Sequence, residues 1–356
     1  MSTPGRSQGE DLNAQHEGNS MPQFPGAVLD IAYHLPERVV RNAEFQADHP
    51  DWRVDQTEKK TGVFERHIAR ADETAYDLAL IATQKLLAKH PALAAKVDAI
   101  IFCTQSPDHV MPGNAFLLHR DLGLSQNVVA FDYNLACSGY VYGLMMASGF
   151  IKIGMAKNVL LVTADTYSKY IADDDRSTRM LFGDGASVSW IGEAAQFDGV
   201  PLIGAFEDFQ CASDGKGWDK FIIKSGGHRQ PASQKSEPGY RDTIEMNGLH
   251  VLNLVNDRVI KQMLELLQKH ELAPAQIDQF FLHQASGLAL DSLGKKLKLG
   301  GDKLFSNLAT VGNTVSSSIP ILIKDYFSQA SLAPGSRLFL CGFGVGYSWG
   351  SLLARK

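Results

Sequence analysis

A chain of 356 residues, 44% of them hydrophobic, can bury one large core or two moderate ones. With 34 Lys and Arg against 39 Asp and Glu, its formal net charge of -5 argues against nucleic acid as the main partner. Four widely spaced cysteines, Cys103, Cys137, Cys211 and Cys341, form neither a disulfide framework nor a metal-ligand pattern, and no apolar run reaches the roughly 18 residues of a bilayer span. A reducing cytoplasm, with no signal peptide and no metal, is the expected setting.

Residues 1–20 are polar and rich in Gly, Ser, Gln and Glu, and are expected to be a disordered leader. Structure is expected from residues 24–33, with a turn at His34-Leu35-Pro36-Glu37-Arg38 before Val39-Val40. Residues 52–70 are charged, and Thr61-Gly62 reads as a turn into a short strand. Apolar residues at Ala75, Leu78, Ala79, Ile81, Ala82 and Leu86 predict an amphipathic helix over 75–87. A strand over 97–103, a helix over 114–122 and a strand over 127–131 follow. Residues 141–147 are apolar on every face and predict a buried helix, with Cys137 at or near its N-terminus. Residues 158–164 form a continuous apolar strand of the kind buried on both faces. Strand, helix and strand in this order imply parallel pairing with right-handed crossovers, so the fold class is α/β.

Residues 181–192 are a glycine-punctuated turn entering a strand, without phosphate-loop spacing. Residues 206–248 are polar and are expected to run over the surface. A boundary near 200 divides the chain into an N-terminal half, 21–200, carrying Cys137, and a C-terminal half, 201–356, carrying His283 and Asn313. The second half repeats the alternation without visible sequence repetition. It offers a long helix over 249–269, a strand over 279–282 ending at His283, a helix over 288–297, a turn at 311–320 and a final strand over 337–341.

Cys137 lies between Ala136 and Ser138-Gly139, small residues that leave room for a substrate. A helix N-terminus favours thiolate over thiol, so a lowered pKa is expected there. His283 at a strand C-terminus and Asn313 in a turn would each pass as structural alone. Together the three make a nucleophile and two hydrogen-bond donors, a set suited to thioester chemistry.

Cys137 in Ala136-Cys137-Ser138-Gly139, His283-Gln284-Ala285 and Gly312-Asn313-Thr314 resemble the catalytic motifs of β-ketoacyl-ACP synthase III, in the thiolase superfamily. The resemblance runs from about residue 28 to the C-terminus, through Leu35-Pro36-Glu37-Arg38, Asp175-Arg176-Ser177-Thr178 and Phe182-Gly183-Asp184-Gly185-Ala186. It implies a five-layered αβαβα fold of two similar halves, usually a homodimer. The implied activity is that of an acyltransferase that loads an acyl group from a CoA or acyl carrier protein thioester onto Cys137. Decarboxylative condensation with a malonyl-type extender follows, in fatty-acid or specialised biosynthesis. His283 and Asn313 would stabilise the enolate, and the backbone N–H groups of Cys137 and Gly346 would form the oxyanion hole. Lys60, Met111 and Arg176 would contact substrate, with Arg258 and Lys261 as candidate cations for the carrier. No cofactor is implied beyond the CoA or carrier thioesters themselves.

Departures from the family pattern point to a specialised pathway. Ser286, Gly287 and Leu288 stand where the family has Asn and then Arg, Lys60 stands for an arginine, and Trp52 is displaced. Met111, where the family places a residue reaching the partner subunit's acyl pocket, would suit a primer other than acetyl. The alternatives are acyl transfer from Cys137 to a hydroxyl or amine, or service as one subunit of a heteromeric synthase. A degradative thiolase would need a second cysteine, and Cys341 is one residue out of register for it, so Cys341 is expected to be a buried structural residue.

Overall fold

Two large sheets take up the β-branched and aromatic runs, and two largely apolar helices lie between them. The computed structural model describes residues 23–356, so the leader expected over 1–20 lies outside the described residues. The strands are β1 (Ala27–His34), β2 (Val39–Arg41), β3 (Glu65–His67), β4 (Ala99–Cys103), β5 (Val129–Tyr133), β6 (Asn158–Asp165), β7 (Gly185–Gly192), β8 (Ala205–Ser213), β9 (Phe221–Ile222), β10 (Glu245–Met246), β11 (Gln279–Leu282), β12 (Arg337–Gly344) and β13 (Ser348–Arg355). One sheet has five strands in the order β1-β7-β6-β4-β5, and the other has four in the order β11-β12-β13-β8.

Helix Gly139–Lys152 packs against β4 and β6 on one side and β12 and β13 on the other, and Ser318–Gln329 likewise bridges β1 and β7 to β11. In the first of these Tyr140, Val141, Leu144 and Ala147 are fully buried, while Tyr142, Met145 and Met146 are half-buried and Gly149 and Lys152 exposed. Helix Ala75–Lys89 covers the outer face of the five-stranded sheet, and Ile260–Lys269 covers that of the four-stranded sheet. Helix, sheet, helix, sheet, helix gives the five layers. Among the described residues no helix is long and apolar enough to cross a membrane.

The parallel pairing expected of the first half is found for β4 with β5 and with β6. β7, however, runs antiparallel to both β6 and β1. Only a 3-10 segment, Tyr167–Tyr170, and a single α turn, Arg176–Arg179, lie between β6 and β7, so no crossover helix carries the chain back to the starting edge. The two halves share sequence as well as topology, contrary to expectation. Leu86-Leu87-Ala88-Lys89-His90 matches Leu266-Leu267-Gln268-Lys269-His270, and Asp98 matches Asp278, all at one spacing of 180 residues. Each matched residue does the same job in its half. Lys89 and His90 hold buried Asp30 of β1, while Lys269 and His270 hold buried Asp208 of β8. Asp98 accepts from the backbone N–H of Asn158 at the start of β6, and Asp278 from that of Arg337 at the start of β12.

Several other elements differ from expectation. β8 occupies part of the stretch expected to be a surface excursion; its Glu207 and Asp208 hide the alternation of an edge strand. The last strand is β13, not β12. Helices Asn42–Asp48, Val54–Thr61 and Ser318–Gln329 were not predicted, and the helix expected over 249–269 contains a π turn at Val255–Val259.

Candidate active site

Cys137 lies in the tight connection from β5 to helix Gly139–Lys152, held from three sides. Cys103 Sγ donates to Leu135 O at 3.0 Å, Tyr133 Oη donates to Gly139 O at 2.8 Å, and Ser138 Oγ lies 2.7 Å from Ser348 Oγ. Glycines let β12 pass directly beneath: a Cβ on Gly342 would sit 2.5 Å from Cys137 O, and one on Gly344 would sit 3.1 Å from its Sγ. The thiol is buried, and burial raises its pKa, with Asp165 adding to the rise. The lowered pKa expected of a helix N-terminus is therefore not found. Loss of hydration outweighs the helix dipole, and the resting group is a thiol.

His283 follows β11, its backbone N–H donating to Cys341 O at 2.9 Å. The imidazole is buried edge-on to Phe343, with ring centroids 5.4 Å apart, and Nδ1 lies 2.6 Å from Ser318 Oγ. Burial lowers its pKa to about 3, so the ring is neutral near pH 7. When the Ser318 hydroxyl donates to Nδ1, the remaining proton sits on Nε2, which becomes a donor.

Asn313 is anchored to the opposite half of the chain. Its backbone N–H donates to Leu181 O and its carbonyl accepts from Gly183 N–H, both at 3.0 Å. Its side-chain Oδ1 accepts from Val315 N–H at 2.9 Å, and Nδ2 donates to Ala285 O at 3.3 Å. One Nδ2 hydrogen is left over. The positive φ of Gly312, +73°, turns the chain beside Arg66, where a Cβ would have only 3.0 Å.

Cys137, His283 and Asn313 line one cavity of about 270 Å³, together with Phe343 and Gly344. Lys60 and Arg176 are on its wall too, and neither has an ion pair among the described residues. The helix carrying Lys60 reaches the site through a glycine contact: a Cβ on Gly62 would lie 3.2 Å from Gly287 Cα. Leu288, where the family pattern has arginine, is half-exposed on the same wall.

Other predicted residues fall outside this cavity. Gly346 is exposed at the turn from β12 to β13, and the residue against the sulfur is Gly344. Met111 is exposed and lines no cavity of its own chain that contains Cys137. Arg258 and Lys261 are exposed on the helix leading away, with Lys261 Nζ 3.8 Å from Glu265. Cys341 is fully buried beside β13, where burial pushes its thiol up to about 12, and it does not line the cavity.

Sequence reasoning missed Ser318, which positions His283, and Asp165, which accepts from Ser316 and from the backbone of Gln105. The signal available was three consecutive serines, Ser316-Ser317-Ser318, shortly after Asn313; all three are buried.

The chain matches two family profiles, 3-oxoacyl-[acyl-carrier-protein (ACP)] synthase III over residues 131–215 and the C-terminal region of the same family over residues 267–356. It is 34% identical over 322 residues to the β-ketoacyl-[acyl-carrier-protein] synthase III of Deinococcus deserti, covering 90% of this chain and 89% of that protein. A crystal structure of a 3-oxoacyl-(acyl-carrier-protein) synthase III superposes with a TM-score of 0.85 at 41% identity, covering 93% of this chain and 100% of that one. The priming β-ketosynthase of the R1128 polyketide pathway superposes with a TM-score of 0.80 at 25% identity, covering 94% and 97%.

Proposed function

Because the chain belongs to the 3-oxoacyl-[acyl-carrier-protein] synthase III family, we propose that it is a condensing acyltransferase that joins an acyl group held on Cys137 to a malonyl-type thioester with loss of carbon dioxide. The observation that carries this reading is the convergence of Cys137, His283 and Asn313 on one cavity. In loading, the Cys137 sulfur attacks the acyl thioester carbonyl; the C–S bond to the donor breaks, and the thiol proton leaves with the departing thiol. In condensation, the bond from the extender's α-carbon to its carboxylate breaks, and the electron pair passes into an enolate. His283 Nε2–H and the spare Asn313 Nδ2–H donate to the enolate oxygen. The α-carbon then attacks the acyl carbonyl, the bond to Cys137 Sγ breaks, and the thiolate takes a proton to regenerate the thiol.

Both CoA and a carrier protein serve as thioester donors in this reading. Lys60 and Arg176, without an ion pair among the described residues, lie beside the cavity and suit the phosphates of the thiol's carrier arm. A homodimer is the natural state of the fold's first sheet. β5 is an edge strand with an exposed outer residue, Val129, and exposed Val110, Met111 and Phe116 lie in the segments before it. Met111 then reaches toward a second copy. Sedimentation should give a dimer for the wild type and a shift toward monomer for Phe116→Arg; a wild-type monomer at micromolar concentration rejects this arrangement.

The functional test is intact-mass analysis after incubation with a panel of acyl-CoAs, followed by malonyl-CoA or malonyl-ACP. The expected result is an acyl adduct absent from Cys137→Ala, and carbon dioxide release only when extender is added. An adduct that persists in Cys137→Ala, or acyl transfer without carbon dioxide release, rejects it.

A further inference from the structure

The Cys137 site adjoins a second, larger cavity of about 820 Å³. Phe221 lines both. Asn134, three residues before Cys137, and Val345, the neighbour of Gly344, lie on its wall, as does Tyr167, which packs in the same buried cluster as Cys137. An acyl group on Cys137 thus has this space next to it.

The wall of that cavity is divided by chemistry. Phe221, Ile223 and Ile244 make one side apolar. Gln105, Asn134 and Tyr167 make the other side polar and are joined in one chain of hydrogen bonds. The Tyr167 hydroxyl donates to Gln105 Oε1, and Gln105 Nε2 donates to Asn134 Oδ1 at 2.7 Å. Each amide oxygen already accepts one hydrogen bond within the set, and the N–H groups left over, one on Gln105 and two on Asn134, are donors available to a ligand. The set is held in place from below. The backbone N–H of Gln105 donates to buried Asp165 at 2.8 Å, and Tyr167 packs on Phe182 with ring centroids 5.3 Å apart. Prepositioned donors lose little freedom on binding. No Lys or Arg lines the cavity and Asp242 does, which favours an uncharged acceptor over a carboxylate; His228 also lines it, and Lys235 Nζ lies 3.5 Å from Asp242.

We propose that this cavity selects an acyl group bearing an uncharged oxygen acceptor, a keto or hydroxyl group along its chain, which takes the free N–H groups of Gln105 and Asn134. The proposal rests on Cys137 as the acyl acceptor and adds what the acyl group carries. A plain alkyl chain offers no acceptor to half-buried Gln105 or to exposed Asn134, and a site built to hydrogen-bond its substrate discriminates against the analogue that lacks the group.

The test uses the full-length protein and matched thioesters: hexanoyl-CoA, 3-oxohexanoyl-CoA, 3-hydroxyhexanoyl-CoA and 5-hydroxyhexanoyl-CoA. The readout is the initial rate of Cys137 acylation by intact mass. The fastest oxygenated thioester should load at least about tenfold faster than hexanoyl. In Asn134→Leu and in Gln105→Met, that ratio should fall to within about twofold of unity; the ratio rather than the absolute rate is read, so partial loss of folded protein cancels. Hexanoyl-CoA loading as fast as the oxygenated chains, or a preference unchanged in both variants, overturns the proposal while leaving Cys137 as the acyl acceptor. If no thioester acylates Cys137, the acceptor assignment itself fails, and this proposal with it.

Discussion

At the scale of single residues, the site separates a nucleophile from a pair of donors. Cys137 is buried as a thiol and His283 is buried as a neutral ring, so no thiolate–imidazolium pair exists at rest. Cysteine activation therefore belongs to the moment of attack, and His283 is suited to donate a hydrogen bond from Nε2 rather than to carry charge. Replacing His283 or Asn313 by Ala should slow condensation by on the order of a hundredfold while the Cys137 adduct still forms. Single-turnover measurement of the two half-reactions checks this, and near wild-type condensation in both variants would exclude the donor role. Ser318→Ala is expected to act in the same direction but more weakly, because it removes only the hydrogen bond that sets the ring's tautomer.

Among the elements, Asp165 at the end of β6 carries an unusual share of the site's geometry. It accepts from the backbone N–H of Gln105, after β4, and from the hydroxyl and backbone N–H of Ser316, three residues beyond Asn313. One carboxyl thus ties the wall of the larger cavity to the turn that carries Asn313. Burial raises its pKa from 3.8 to about 7, against the hydrogen bonds that lower it. Between about pH 4 and 7 the folded protein holds a proton that the unfolded chain has released, so this group makes stability fall as pH rises through that window and level off above it. Asp165→Asn is uncharged throughout. From pH 4 to 7 the urea unfolding midpoint of the wild type should fall relative to that of the variant, and a constant difference between the two would exclude Asp165 as the source. Asp184, also raised by burial, adds a slope of the same sign, and His283, lowered by burial, one of the opposite sign; both are common to the two proteins and cancel in the difference.

For the whole molecule, two pseudo-equivalent halves meet at the site, and charge limits what can dock on it. A chain of net charge -5 gains nothing from overall attraction to an acidic carrier protein, so docking depends on local cations. Lys60 and Arg176 are beside the cavity, while Arg258 and Lys261 lie outside it on the neighbouring helix. Charge reversal in Arg258→Glu/Lys261→Glu should lower kcat/KM for malonyl-ACP about tenfold at low salt and much less at high salt, with CoA loading unchanged. Equal impairment of both donors, or none, would remove this patch from the docking surface.

Much of this was written in the order of residues. The small flanks of Cys137, the strand end at His283 and the turn at Asn313 each announce themselves locally, because apolar periodicity and turn chemistry act over a few neighbours. The apolar run after Cys137 likewise required a largely buried helix, which lies in the middle layer found here. Other features arose only from tertiary contact. β8 is placed at the sheet edge by pairing with β13, across well over a hundred residues of chain. The direction of the Cys137 pKa reversed because local sequence reports a helix terminus, whereas desolvation depends on what β12 brings against it. Gln105, Asn134 and Tyr167 have no shared motif and become a donor wall only when β4, β5 and β6 lie side by side. Periodicity determined the elements; burial and long-range hydrogen bonds decided which side chains could do chemistry.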